Sequence, residues 1–298
     1  MCPVLIHHAA NRGRRFPPSS LAGLSACLAA HAQIVEVDIQ ALADGDYALL
    51  HDATLESSTT GHGPVGARTA EEVRGLRLVW HGRPVDQPVA TLSQVVALLQ
   101  GEPWPVELQL DLKFFPTALL TEDRLRSLVR LVEPLGSRVR ISSPADWSLR
   151  RLHALAPGLN LGYDPLAYLD LRQPKEEEDE PPYRTGAYGY RDDHPLAAVR
   201  WGPPADYLAE RAEALWLQVP FAGVWYIRGS VLARGLDEGF DWIAFLHGRG
   251  ALVDAWTLDV DRPGCLEVAR RLVAAGVDRI TTNDPPALAE ALGGEVCY

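Results

Sequence analysis

The sequence predicts a (β/α)8 barrel, an α/β TIM-barrel fold formed as a single domain over residues 1–298. Three observations lead there: short runs rich in Val, Ile and Leu recur, most alternate with amphipathic helical stretches, and none is followed by G-x-G-x-x-G. The strand-type runs cover residues 4–9, 34–40, 106–112, 139–143, 160–164, 214–219, 251–257 and 277–282. Helical periodicity marks 21–30, 92–99, 122–131, 149–155 and 266–275. Such alternation means parallel strands joined by crossover helices. Eight strands in this length of chain close into a barrel more readily than they form an open, doubly wound sheet.

Two stretches depart from the repeat. Residues 44–90 hold a short β-type run and then a Gly/Thr/His-rich segment, which predicts an excursion after strand two. Residues 172–206 hold Lys-Glu-Glu-Glu-Asp-Glu, then Pro-Pro and a Tyr/Gly/Arg-rich run, an insertion that reads equally as a lid or as a solvated loop.

Composition narrows the function. With 47% hydrophobic and 22% charged residues the chain is an ordinary globular one, not a disordered chain or a disulfide scaffold. No apolar run approaches the roughly 18 residues of a membrane span, and the first residues do not resemble an export signal. The expectation is a cytoplasmic protein with no stable membrane insertion. Its 28 basic and 39 acidic side chains give a formal net charge of −11, which disfavours nucleic acid as a partner. The four cysteines form no C-x-x-C pair and read as reduced thiols, although Cys2 and Cys297 could meet in a closed barrel.

The chemistry of a barrel sits at the C-terminal ends of its strands. Strand two reads Ile34-Val35-Glu36-Val37-Asp38-Ile39, and strand three ends Leu110-Asp111-Leu112-Lys113. Residues two apart on a strand share a face, so Glu36 with Asp38 and Asp111 with Lys113 point into the barrel, while their apolar neighbours face the helices. Three converging carboxylates repel one another and lose hydration, at a cost on the order of several kcal/mol per unpaired charge. A hard divalent cation, Mg2+ or Ca2+, removes that penalty.

Strand one ends in His7-His8, of which only one can enter the barrel, and residue parity does not choose between them. His51 follows strand two beside Asp52, which can hold its ring. Two imidazoles beside a metal-held phosphate suit general acid and base work near neutral pH.

In this order the motifs resemble the glycerophosphodiester phosphodiesterase family of metal-dependent (β/α)8 barrels. The matching stretches are Leu5-Ile6-His7-His8, Val35-Glu36-Val37-Asp38, Leu50-His51-Asp52-Ala53-Thr54-Leu55, Thr59-Thr60-Gly61-His62-Gly63 and Leu110-Asp111-Leu112-Lys113. Ala90-Thr91-Leu92, Ala255-Trp256-Thr257-Leu258 and Ala275-Gly276-Val277-Asp278 through Thr281-Thr282-Asn283-Asp284-Pro285 complete the set. The resemblance implies that His8 and His51 are the acid/base pair and that Glu36, Asp38 and Asp111 hold the metal. It also implies that Lys113 contacts the phosphate and Trp256 lines the pocket. The family's usual His-Arg-Gly is His8-Ala9-Ala10 here, with Arg12 as the nearby substitute for the missing Arg. Pro18 stands where the family has a further ligand Glu. A three-carboxylate site with His8-Ala9-Ala10-Asn11 is similar to the sphingomyelinase D branch of the same superfamily.

The implied activity is metal-dependent hydrolysis of glycerophosphodiesters, small-molecule substrates, to an alcohol and glycerol phosphate. One alternative is lysophospholipase D- or sphingomyelinase D-like cleavage, with an apolar channel built from Trp225, Tyr226 and Phe240. The other is a barrel that binds a phosphate ligand without turnover.

Overall fold

The computed structural model describes residues 2–113, 120–169, 203–294 and 296–297. The chain begins with β1 (Val4–His7), α1 (Leu21–Ala29) and β2 (Ile34–Ala41). The excursion follows, comprising β3 (Tyr47–Ala48), α2 (Ala70–Arg74) and a hairpin of β4 (Arg77–Trp80) and β5 (Arg83–Pro88). The alternation resumes with α3 (Leu92–Gln100), β6 (Glu107–Leu112), α4 (Glu122–Val132), β7 (Val139–Ser143), α5 (Asp146–Leu155) and β8 (Asn160–Tyr163). The last part holds α6 (Pro204–Gln218), β9 (Val224–Arg228), α7 (Gly229–Asp237) and α8 (Trp242–His247). It ends with β10 (Leu252–Trp256), α9 (Cys265–Ala274), β11 (Arg279–Thr282) and α10 (Pro285–Ala291).

Eight of these strands pair in parallel in the order β1-β2-β6-β7-β8-β9-β10-β11, and β11 returns to β1, closing a (β/α)8 barrel. Strand parity divides the residues as an alternating pattern requires. Val35, Val37 and Ile39 of β2 join the large core beneath the helices, whereas Ile6, Ile34, Val224 and Tyr226 pack inside the barrel. Tyr226 fits there because the neighbouring β8 carries glycine where its ring lies: a Cβ on Gly162 would collide with the Tyr226 ring. Helix starts are set locally; the Ser20 hydroxyl accepts the Gly23 N–H, and Thr69 and Glu72 form a reciprocal capping box at α2. The excursion has a small core of its own, with Leu42, Leu50, Leu55, Val65, Val73 and Val89 buried together.

One predicted strand is wrong. Residues 214–219 belong to the end of α6, and the sixth barrel strand is Val224–Arg228. Leu208, Ala212 and Leu215 are the buried face of α6 at helical spacing, and Leu217, 71% exposed, made the segment look like a buried strand. The apolar channel expected from Trp225, Tyr226 and Phe240 does not form either. Trp225 stacks on Trp216 of α6 under the helices, Tyr226 points inside the barrel, and Phe240 packs on Trp242. Of the predicted insertion at 172–206, residues 172–202 lie outside the described residues.

The two ends of the described chain meet beside β1. Cys297 donates its N–H to the Pro3 carbonyl at 2.8 Å and accepts the Leu5 N–H at 3.1 Å. The Cys2 and Cys297 thiols lie close enough to influence each other, and both are free. Among the described residues no helix is long and apolar enough to cross a membrane.

Candidate active site

β2 and β6 run side by side with Asp38 directly opposite Asp111. With Glu36 one turn of the pleat below, each of the three acids offers a carboxylate oxygen, and these oxygens lie within 4.8 Å of one another. Glu36 and Asp38 are buried, at 3% and 4% exposure. The backbone N–H of Lys113 donates to the Ile39 carbonyl, carrying the strand pairing one residue past β6. That places its ammonium 2.7 Å from Asp38 and 2.6 Å from Asp111.

Among the described residues this cluster is short of positive charge. Three carboxylates face one ammonium, and Glu36 bears the consequence. Burial, and then the charges of Asp38 and Asp111, push its carboxyl well above the usual range despite the Ala9 N–H that it accepts at 2.6 Å. Burial also works against ionised Asp38, but Lys113 and then His51 outweigh it and hold its carboxyl below the usual value. Burial works against a charged Lys113 too, and the three acids outweigh it, keeping the amine protonated. Three hard oxygen donors with uncompensated negative charge fit a divalent cation of the Mg2+ or Ca2+ type.

His8, and not His7, faces this cluster. β1 ends at His7, and the chain then turns through Ala9 and Ala10 at φ 49° and 48°, a left-handed geometry that side chains disfavour. The turn brings the Ala9 N–H to Glu36 and His8 Nε2 to 4.0 Å from the same carboxylate. His7 is buried on the other face, and burial with the nearby Arg12 guanidinium pushes its pKa down to about 4.

The other nitrogen of His8 is fixed by residues that sequence reasoning did not assign. Asp259 accepts the Asn283 backbone N–H and its side-chain Nδ2, each at 2.9 Å, so the amide oxygen of Asn283 must point the other way. That oxygen accepts Asn11 Nδ2 at 2.5 Å and His8 Nδ1 at 2.9 Å. His8 therefore donates from Nδ1, leaving Nε2 toward Glu36. Arg14 holds Asp259 from the outside at 2.8 Å.

His51 follows the same logic on the opposite side. It is 66% exposed at the mouth, its Nδ1 is 2.8 Å from Asp52 Oδ1, and its charge is felt by Asp38. Gln40, the next inward residue of β2 after Asp38, donates its amide to the carbonyls of Leu50 and Asp52 and ties the His51 loop to the barrel. The alternation Glu36-Val37-Asp38-Ile39-Gln40 contained this signal, since Gln40 shares the face of the two acids.

Trp256 ends β10 and faces inward, with the Arg228 guanidinium 4.9 Å from its ring centroid. Arg12 is not brought to the carboxylates. It lines a cavity with Gly13, Arg15, Asp284 and Pro286, and its charge acts on His7 and Cys27, on the helix side of β1.

A closed parallel barrel whose C-terminal rim gathers three acids, a lysine and two oriented imidazoles is the layout of a barrel enzyme acting on a charged small molecule. Comparison with known proteins is more specific. Residues 11–185, more than half of the chain, match the Glycerophosphoryl diester phosphodiesterase family, and this chain belongs to that family. It is 26% identical over 285 residues to the glycerophosphodiester phosphodiesterase of Caldanaerobacter subterraneus subsp. tengcongensis, covering 94% of each chain. Against the Mycobacterium tuberculosis protein named "Probable glycerophosphodiester phosphodiesterase 1" it is 28% identical over 179 residues, 54% of this chain and 65% of that protein's length. Among solved structures, an Oleispira antarctica phosphodiesterase in complex with the product sn-glycerol-3-phosphate superposes with a TM-score of 0.66 at 18% identity, covering 98% of this chain and 97% of that one. At that identity the last likeness concerns the fold.

Proposed function

We propose that this chain, acting as one catalytic domain over residues 1–298, is a phosphoric diester hydrolase that cleaves glycerophosphodiesters to an alcohol and glycerol phosphate. The observation that carries the reading is the meeting of Glu36, Asp38 and Asp111 within 4.8 Å, flanked by His8 and His51, each tied at Nδ1. The family and the product bound to the Oleispira antarctica neighbour support the substrate class. In this reading the three acids hold Mg2+ or Ca2+. A bound dication supplies charge for the phosphoryl oxygens and lowers the pKa of the attacking hydroxyl.

The chain's own residues do the rest. One imidazole takes the proton of the attacking oxygen through Nε2, and the other protonates the leaving alkoxide. Asn283 and Asp52 keep both rings in the working tautomer. Lys113 faces the phosphoryl group and offsets charge as it builds, and Trp256 walls the pocket. The four free thiols suit a reducing compartment, and the reading includes a cytoplasmic location.

The test is alcohol release from a panel of glycerophosphodiesters and lysolipids, after chelation and with Mg2+ or Ca2+ restored. Metal-dependent cleavage of the glycerophosphodiesters is expected. Cleavage indifferent to the chelator, or binding of glycerol phosphate with no diester cleaved under any metal, overturns the reading.

A further inference from the structure

β6 carries one inward side chain that the reaction as proposed does not use. Leu108, Leu110 and Leu112 join the core under the helices, so Glu107, Gln109 and Asp111 line the inner face of the barrel. Glu107 is met by Arg279 and Arg140, and Asp111 by Lys113. Gln109 lies between them and is 4% exposed. Its Oε1 is a buried acceptor with no hydrogen-bond partner among the described residues. A buried amide oxygen without a donor is costly, and a folded protein keeps one where something else meets it.

Strand register shows what can meet it. Gln109 stands directly opposite Glu36, just as Asp111 stands opposite Asp38. β2 therefore presents Glu-x-Asp and β6 presents Gln-x-Asp in step, on adjacent strands and on one face. Glu36 brings a carboxylate oxygen within 4.8 Å of oxygens from both aspartates. Gln109 starts from the matching position with a side chain of the same length, so it has the same reach. Its chemistry suits the place as well. A dication together with Lys113 already balances the three acids, and a fourth carboxylate would restore repulsion in a buried site. An amide oxygen adds a hard donor without adding charge.

We infer that Gln109 is a fourth protein ligand, through its amide oxygen, of the dication that Glu36, Asp38 and Asp111 hold in the proposed reading. This role rests on that metal-dependent reading and deepens it.

Calorimetric titration of the chelated protein with Ca2+ and with Mg2+ tests the role without any turnover. Gln109→Met keeps the length of the side chain and removes its oxygen. It should weaken binding of the ion that the wild type holds by about tenfold or more, since disturbing even the outer partners of a metal site costs about 10–100-fold. Gln109→Glu keeps the oxygen and adds a charge. It should bind the ion more tightly than the wild type, while its chelated form melts at a lower temperature. A side chain that only fills space would not move those two readouts in opposite directions. A folded Gln109→Met that binds the ion as tightly as the wild type overturns the inference. Should that variant not fold, Gln109→Glu decides, and binding no tighter than the wild type overturns it. If the wild type takes up neither ion, the metal-dependent reading fails and this role fails with it.

Discussion

The inside of this barrel holds two layers of charge that share a strand. At the N-terminal end, Glu107 of β6 meets Arg279 at 2.6 and 3.2 Å and Arg140 at 3.0 Å. Burial works against the ionised Glu107, but these arginines outweigh it and hold its carboxyl below the usual range. Asp254 completes the layer, bonded to the Thr281 hydroxyl at 2.6 Å, so two acids face two arginines. Two inward positions further along β6 stands Asp111, in a layer where three acids face one lysine. The first layer is closed by the protein's own cations and acts as scaffold. In the second, among the described residues, a single ammonium faces three acids, and the proposed metal site lies there.

The difference can be broken by experiment. The largest expected effect belongs to the rim: His51→Ala or His8→Ala should lower kcat by about 10²–10⁴-fold. The melting temperature of the exposed His51 variant should stay near wild type, and wild-type turnover on glycerophosphodiesters would remove His51 from the acid/base pair. At the other end, Glu107→Gln leaves the buried Arg279 and the half-buried Arg140 without their acid and should cost on the order of 3–5 kcal/mol in urea unfolding. The protein that remains folded should retain its kcat. Lost turnover with intact stability would show that the lower layer is not merely scaffold.

A pH experiment sharpens the contrast. Burial pushes the Asp254 carboxyl from 3.8 up to about 6, so folding favours its protonated form. The stability it contributes is fully present below about pH 4 and is lost as pH rises through 6, up to roughly 3 kcal/mol. Asp254→Asn should flatten that part of the stability profile, and an unchanged profile would reject the assignment. The smallest effect is expected from Glu36→Gln in chelated protein. Because burial and two neighbouring acids raise the Glu36 carboxyl, removing its charge should raise the metal-free melting temperature by a few degrees at neutral pH. A fall would mean that the rim is already balanced.

Much of the rim was legible because strand periodicity is short-range. Glu36, Asp38, Asp111 and Lys113 announced their common face through the apolar residues between them. The choice of His8 over His7 was not legible from parity, since it depends on the left-handed turn at Ala9 and Ala10. Asn283 and Asp259 stood among recognisable motifs, yet their link to His8 spans 275 residues and exists only once the barrel closes. Strand six was missed because the end of α6 carries Leu217 on its solvent side, where a polar residue would have marked the helix. That error also hid Arg228.

The pairing of Cys297 with the start of β1 has a practical consequence. Position 297 and the first described residues lie at the N-terminal ends of the strands, the face of the barrel opposite the rim of acids. A solid support, a fluorophore or a fused protein attached near either position would emerge on the far side from the substrate's approach. The protein could then be immobilised through either position with its mouth open to solution.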